Sequence, residues 1–218
     1  MDHASRNRLT DRHLERFPGE TLFDRIARAV CHAGCLPRKE LYEAWEVARR
    51  VRRRLRGGRV VDLACGHGLL SGILLLLDDS SPHAIGIDRA LPPSAAKLQT
   101  VLEAAWPRLA GRVKLRLGEL EEVALTADDL VVSVHACGAL TDQVIELTIA
   151  ARAKLAVLPC CHDLATGGGV AFRGWLDGPL AMDVARVGRL QAAGYRVVTQ
   201  TIPAEITPKN RLLLAEPG

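Results

Sequence analysis

Aromatic side chains are scarce in this chain, with 3 Phe, 3 Trp and 2 Tyr among 218 residues and only 2 Met. Its core must therefore be built from Leu, Val, Ala and Ile, and few rings are left over for stacking on bases. Long apolar runs are lacking too. Gly72–Leu77 (GILLLL) falls far short of the roughly 20 residues a membrane-spanning helix needs. There is no internal repeat and no low-complexity tract, and the 6 cysteines show no C-x-x-C spacing. The first sixteen residues are polar and carry acids, which suits neither a secretory signal nor a transit peptide. A cytoplasmic location with reduced thiols is the expectation.

What is present fits one α/β domain with an added segment. The formal charge is +4, unevenly spread: residues 1–58 hold 14 Lys and Arg against 8 Asp and Glu, and residues 59–218 hold 15 against 17. The chain divides accordingly into a basic N-terminal arm with two helices (1–58), on the substrate side or acting as a lid, and a ligand-binding domain (59–218). Residues 1–20 read as a loosely held arm. Apolar residues at helical spacing predict helices over 21–33 and 40–56, the second with acids early and arginines late, as the helix dipole favours. Strands are expected near 59–63, 83–88, 112–117, 129–135, 154–158, 195–202 and 210–215, with helices between most of them. Residues 163–177, containing Gly167, Gly168 and Gly169, read as a mobile loop. Alternating strands and helices predict a doubly wound, seven-stranded, mostly parallel sheet with an N-terminal helical extension.

The stretch Arg59-Val-Val-Asp62-Leu-Ala64-Cys65-Gly66-His67-Gly68-Leu-Leu70 is the most informative. A β-branched run ends in an acid, two glycines follow, and an apolar helix begins. Gly66 and Gly68 allow positive φ and close approach of a ligand, and the helix start presents free N–H groups. A second strand ends at Asp88-Arg89, at the spacing of a ribose-binding carboxylate.

Asp62-x-Ala64-x-Gly66-x-Gly68 followed by Asp88 resembles the S-adenosylmethionine site of class I, Rossmann-like methyltransferases. The resemblance implies S-adenosylmethionine as cofactor. Asp62 would face its amino-acid end. Ala64, Cys65, Gly66, His67 and Gly68 would wrap it, and Asp88, with Arg89 beside it, would take the ribose hydroxyls. Glu119 would reach the adenine amino group, with His135 at the rim.

Two further clusters fall at strand ends, His135-Ala136-Cys137-Gly138 and Pro159-Cys160-Cys161-His162. With Thr141-Asp142 and Asn210-Arg211, they resemble one methyltransferase group. It includes the CHHC-zinc-finger tRNA acceptor-stem ribose 2′-O-methyltransferases and the methyltransferase domain of glutathione-S-transferase C-terminal-domain-containing proteins. The chain has no CHHC finger, no Lys-Asp-Lys-Glu tetrad, and none of the Asn/Asp-Pro-Pro-aromatic tetrad used on exocyclic amines.

Catalytic candidates are His135, Cys137, Cys160, Cys161 and His162. Either histidine could act as general base or orienter in a direct methyl transfer. Alternatively Cys137 and Cys160 could serve a cytosine-C5 RNA methyltransferase, in which a thiolate must activate the ring. The thiols could also simply pack behind the cofactor. A soft metal such as zinc held by His135, Cys137, Cys160, Cys161 and His162 is a further alternative; adjacent cysteines rarely both ligate one ion and C-x-x-C spacing is absent, so no metal is assigned. Cys31, His32 and Cys35 read as packing. Arg49, Arg50, Arg52, Arg53, Arg54 and Arg56 fit a phosphate-tracking face or a solvated helix end, so RNA, tRNA or rRNA, is the leading partner class. Methylation of a small molecule or protein, and a non-catalytic binding role, are the alternatives.

Overall fold

Short apolar runs separated by glycine and proline turns make the strands, and the computed structural model, which describes residues 3–162, 168–172 and 174–218, joins them in one sheet. In chain order the strands are β1 (Val60–Leu63), β2 (Ala84–Asp88), β3 (Val113–Leu117), β4 (Leu130–Ser133), β5 (Lys154–Val157), β6 (Tyr195–Thr201) and β7 (Arg211–Pro217). The helices are α1 (Leu22–Ala33), α2 (Arg38–Arg54), α3 (Leu69–Leu77), α4 (Ala95–Ala105), α5 (Ala139–Ala151) and α6 (Gly178–Ala192). The sheet order is β3-β2-β1-β4-β5-β7-β6, and β7 runs antiparallel to both its neighbours. The doubly wound, seven-stranded expectation is met. The sequence order reverses between β1 and β4, which opens the crevice where such sheets bind ligands.

Strand pleating sorts the core. Val60, Val132 and Leu214 face α1–α4, while Val61, Val131, Leu213 and Ala215 face α5 and α6. At the start of β1, Arg59 grips Asp129 with two bonds of 2.9 and 2.6 Å, aligning β1 with β4 from below.

The N-terminal segment differs from its expectation. Leu9 and Phe17 are buried, Leu9 N–H donates to Leu36 O at 2.9 Å, and a 3-10 turn spans Asp11–Arg16. Residues 3–20 are therefore not a loosely held arm, because these two side chains complete the core beneath α1 and α2. Both helices share the apolar cluster of the sheet, with Ile26, Val30, Leu41, Val47 and Val51 buried in it. The six helix arginines do not form one free face either. Arg52 is buried, with Nε bonded to Leu74 O and Nη2 to Ser81. Arg49 and Arg50 pair with Glu46, and Arg56 bonds Arg52 O. Arg53 and Arg54 are exposed. They border a groove with Arg196, at the sheet end opposite the glycine turn.

Part of the expected 163–177 loop, at 163–167 and 173, lies outside the described residues. Gly168–Phe172 forms a 3-10 turn before α6. Among the described residues, no helix is long and apolar enough to cross a membrane.

Candidate active site

Every strand-end candidate falls on one sheet edge. Beyond β1 the chain takes positive φ at Ala64 (59°), Gly66 (54°) and Gly68 (73°), a tight turn that delivers Leu69 as the first residue of α3. Ala64 adopts this conformation against its chirality, a strain of about 1–2 kcal/mol that the flanking glycines and buried strand hold in place. At Gly68 (φ 73°) a Cβ would lie 2.7 Å from Leu115 Cδ2, so a larger residue would have to move Leu115 as well as adopt a strained φ. Gly66 N–H donates to Asp88 Oδ2 and Ala90 N–H to Asp88 Oδ1, both at 2.9 Å. The Asp88 carboxylate is thus fixed across the crevice from the glycine turn, and its remaining lone pairs are available to a diol. Arg89 is exposed beside it.

Asp62 is buried, with its carboxylate accepting from Ser71 Oγ at 2.9 Å and from the Ser71 backbone. Burial pushes its pKa up to about 7, against those hydrogen bonds. A small cavity adjoins it, lined by Leu36, Glu40 and Ala44 from the α1–α2 region together with Asp62, Cys65, His67 and His135. Glu40 is raised too, by burial and then by the charge of Glu43. A cation such as an ammonium entering this cavity would offset the burial cost and favour both carboxylates. Sequence reasoning missed Leu36 and Glu40, because their helix folds over the crevice only through tertiary packing.

Cys65 is buried under Gly86, and burial raises its thiol strongly. His67 is tied to Ser94 at 2.9 Å, pinning the turn to the start of α4, and burial lowers its pKa. Glu119 is exposed, and its N–H donates to Glu122 at 2.8 Å. Leu117, paired with Asp88 in the sheet, is 67% exposed. This bare apolar side chain beside the Asp88 carboxylate suits the face of a flat ring, and no periodicity in the sequence singles it out.

His135 lies past the end of β4. Its ring packs over the turn, with Cδ2 3.5 Å from where a Cβ on Gly66 would stand. The residue is exposed at the rim of the crevice, with protein packed around the inner side of its ring. That surrounding protein, and then the Lys39 ammonium, hold its pKa below the usual histidine value, so it is neutral at pH 7.

Next along the edge, Cys137 Sγ and Cys160 Sγ approach to 2.9 Å, and Cys160 Sγ and Cys161 Sγ to 3.9 Å. Burial raises Cys137 and Cys160, the latter also through Cys137. Cys161 moves the other way. Partial burial opposes its thiolate, but hydrogen bonds from Cys137 and Cys160 and the charge of Lys209 outweigh it.

His162 turns from the thiols into a buried network. Its Nε2 donates to Asp183 Oδ1 at 2.9 Å, and Asp183 also accepts from Arg186 (3.1 Å) and Arg211 (2.6 Å). Arg186 reaches Asp142 at 2.8 Å, while Thr141 donates to Ala136 O at 2.6 Å and Asn210 to Ile202 O at 2.9 Å. The scattered motif residues are thereby joined through Asp183 and Arg186, which read in sequence as ordinary charges on a helix. Cys31 and Cys35 are buried, and His32 bonds Asp11 at 2.8 Å.

This sheet, with a glycine turn after β1 and an acid after β2, defines a Rossmann-like fold of the methyltransferase type. The chain belongs to the methyltransferase-domain family, whose model matches residues 39–167. Solved structures share the fold. The M1A22 tRNA methyltransferase TrmK of B. subtilis is 16% identical with a TM-score of 0.55, covering 79% of this chain and 66% of its own. Magnesium protoporphyrin IX methyltransferase (ChlM) of Synechocystis PCC 6803, with bound SAH, is 14% identical at 0.55, covering 95% and 93%. An O-methyltransferase family protein of Burkholderia thailandensis is 18% identical at 0.52, covering 94% and 63%. This chain thus spans about two-thirds of the tRNA enzyme's length. No curated protein matches it in sequence.

The chain is a methyltransferase, and S-adenosylmethionine is its methyl donor. The site fits that group. Two carboxyls at one cavity suit its ammonium, the fixed Asp88 suits its ribose, and the glycine turn leaves room for it to lie against backbone.

Proposed function

We propose that this methyltransferase acts on RNA by direct methyl transfer, with His135 as general base or orienter. The observation that carries the reading is the cavity where Asp62, Glu40 and His135 meet, which sets two carboxyls beside a neutral imidazole. S-adenosylmethionine supplies an electrophilic methyl group on a sulfonium. Asp62 and Glu40 hold the ammonium end and Asp88 holds the ribose, which fixes the donor in the crevice. His135 accepts the proton of an acceptor hydroxyl or amine as the acceptor loses it, and returns it to solvent at the rim of the crevice. Holding donor and acceptor together supplies most of the acceleration, and no covalent intermediate is needed.

The RNA reading takes a second contact in a basic groove. The Arg53, Arg54 and Arg196 groove lies about 20 Å from Glu40, judged from the 1.5 Å rise per residue along α2. A polynucleotide spans that distance and a metabolite does not. The test is binding of bulk tRNA and rRNA over a salt series, with methyl incorporation from labelled donor. Affinity that falls steeply with salt and weakens in Arg53→Ala/Arg54→Ala supports the reading. Methyl transfer to small molecules or protein with no RNA affinity overturns it.

A further inference from the structure

Cys137, Cys160 and Cys161 are not accounted for by cofactor binding or by proton transfer at His135. Their three sulfurs lie within 4.8 Å of one another, at the ends of the adjacent parallel strands β4 and β5. We propose that they form a three-thiolate site for a soft divalent ion of the zinc class, with the remaining coordination position given to water or to the acceptor's hydroxyl.

The geometry matches such an ion. With Zn–S bonds of about 2.3 Å, tetrahedral geometry separates the sulfurs by about 3.8 Å. Cys160 and Cys161 stand 3.9 Å apart, so these neighbours already present their sulfurs as one edge of a tetrahedron. That overrides the sequence argument against adjacent ligands. Cys137 and Cys160, at 2.9 Å, are closer than uncoordinated sulfurs rest. Opening by about 0.9 Å makes a second edge, whereas closing by about as much would make a disulfide. The third thiol decides between them. A disulfide leaves Cys161 unused, and an ion employs all three.

Two surroundings agree. Three thiolates on a divalent ion carry one net negative charge, and Lys209 Nζ stands 3.9 Å from Cys161 Sγ to offset it. His162, the next residue, is buried, with Nε2 held by Asp183 and Nδ1 lacking any hydrogen-bond partner among the described residues. The Asp183 carboxylate fixes this ring, next in sequence to Cys161, at the border of the thiol cluster. Binding releases the three thiol protons to solvent as three metal–sulfur bonds form, with no change in oxidation state. An acceptor hydroxyl on the ion would ionise more readily than a free one.

The role at the acceptor rests on the methyl-transfer reading, but the site is tested without donor or acceptor. The full chain, reduced and freed of metal by chelator, is titrated with Co(II) and then Zn(II). The expected result is intense thiolate-to-cobalt absorption with visible bands of tetrahedral form, bleached by zinc. Each of Cys137→Ser, Cys160→Ser and Cys161→Ser weakens it at least tenfold. In the wild type, zinc protects these three cysteines from alkylation in peptide maps, a readout that needs no variant to fold. Four results overturn the proposal: no thiolate absorption from fully reduced protein, equal alkylation with and without zinc, a signal surviving the Cys137→Ser/Cys160→Ser pair, or a Cys137–Cys160 disulfide in protein purified with zinc present. Failure here leaves cofactor binding intact, and failure of cofactor binding leaves the cobalt spectrum unchanged.

Discussion

Asp62 and Glu40 line one cavity in which neither carboxyl ionises easily, and pH therefore reads the cofactor site directly. The Asp62 carboxyl moves from an ordinary 3.8 to about 7 on folding. Across that window the folded chain keeps a proton that the unfolded chain has released. Stability of the ligand-free protein is therefore expected to fall as pH rises from about 4 to 7 and then to level. Thermal unfolding of Asp62→Asn should show a flatter profile, and an unchanged slope would contradict the assignment. An ammonium-bearing ligand reverses the trend, so its stabilising effect grows as pH rises toward 7. His135 gives a second signature. A base held below the usual histidine value keeps methyl transfer active well into mild acid, and His135→Ala is expected to lower kcat by about 10²- to 10⁴-fold with little change in cofactor affinity. Single-turnover transfer and calorimetry separate the two. Asp62, Gly66, Gly68, Asp88 and His135 are legible as candidates in sequence because each sits at a local punctuation mark, a strand end or a glycine turn. Glu40, Leu117, Asp183 and Arg186 are not, because their importance arises only when distant elements meet.

At the scale of elements, α2 does two jobs. Its first turns line the crevice through Glu40 and Ala44, and its buried stripe of Leu41, Ala44, Val47, Ala48 and Val51 anchors it to the sheet. Leu41→Ala removes a fully buried side chain and is expected to cost about 2–5 kcal/mol in chemical denaturation. Because the same helix shapes the cavity, that variant should lose cofactor affinity as well. The periodicity of 40–56 was readable as a helix, and the observed bounds, Arg38–Arg54, differ by two residues at each end. Its destination was not readable. Late arginines look alike in sequence whether they reach solvent or, like Arg52, thread under Leu74 O and Ser81.

Across the whole molecule, the N-terminal residues and the sheet share one apolar cluster, and the charge asymmetry that suggests a separate arm does not mark a break in packing. Deleting residues 1–37, just short of the family match, removes Leu9, Phe17, Ile26, Val30 and Leu36 from the core. The truncated chain is expected to be insoluble or to lose its cooperative thermal transition, whereas a detachable lid would leave a folded remainder. The doubly wound, mostly parallel sheet was legible, since alternating elements permit few topologies. That the basic helix end lies opposite the glycine turn is settled only by the path of α2 across the sheet.

Cofactor recognition underlies everything else, and calorimetric titration with S-adenosylhomocysteine tests it most directly. Wild type is expected to bind one equivalent, more tightly at pH 8 than at pH 6. Asp88→Ala, which removes charged hydrogen bonds of about 1.5–3 kcal/mol each, should lose at least tenfold in affinity. Wild-type protein that takes up no S-adenosylhomocysteine at either pH, or Asp88→Ala that binds as well as wild type, would contradict the site described above.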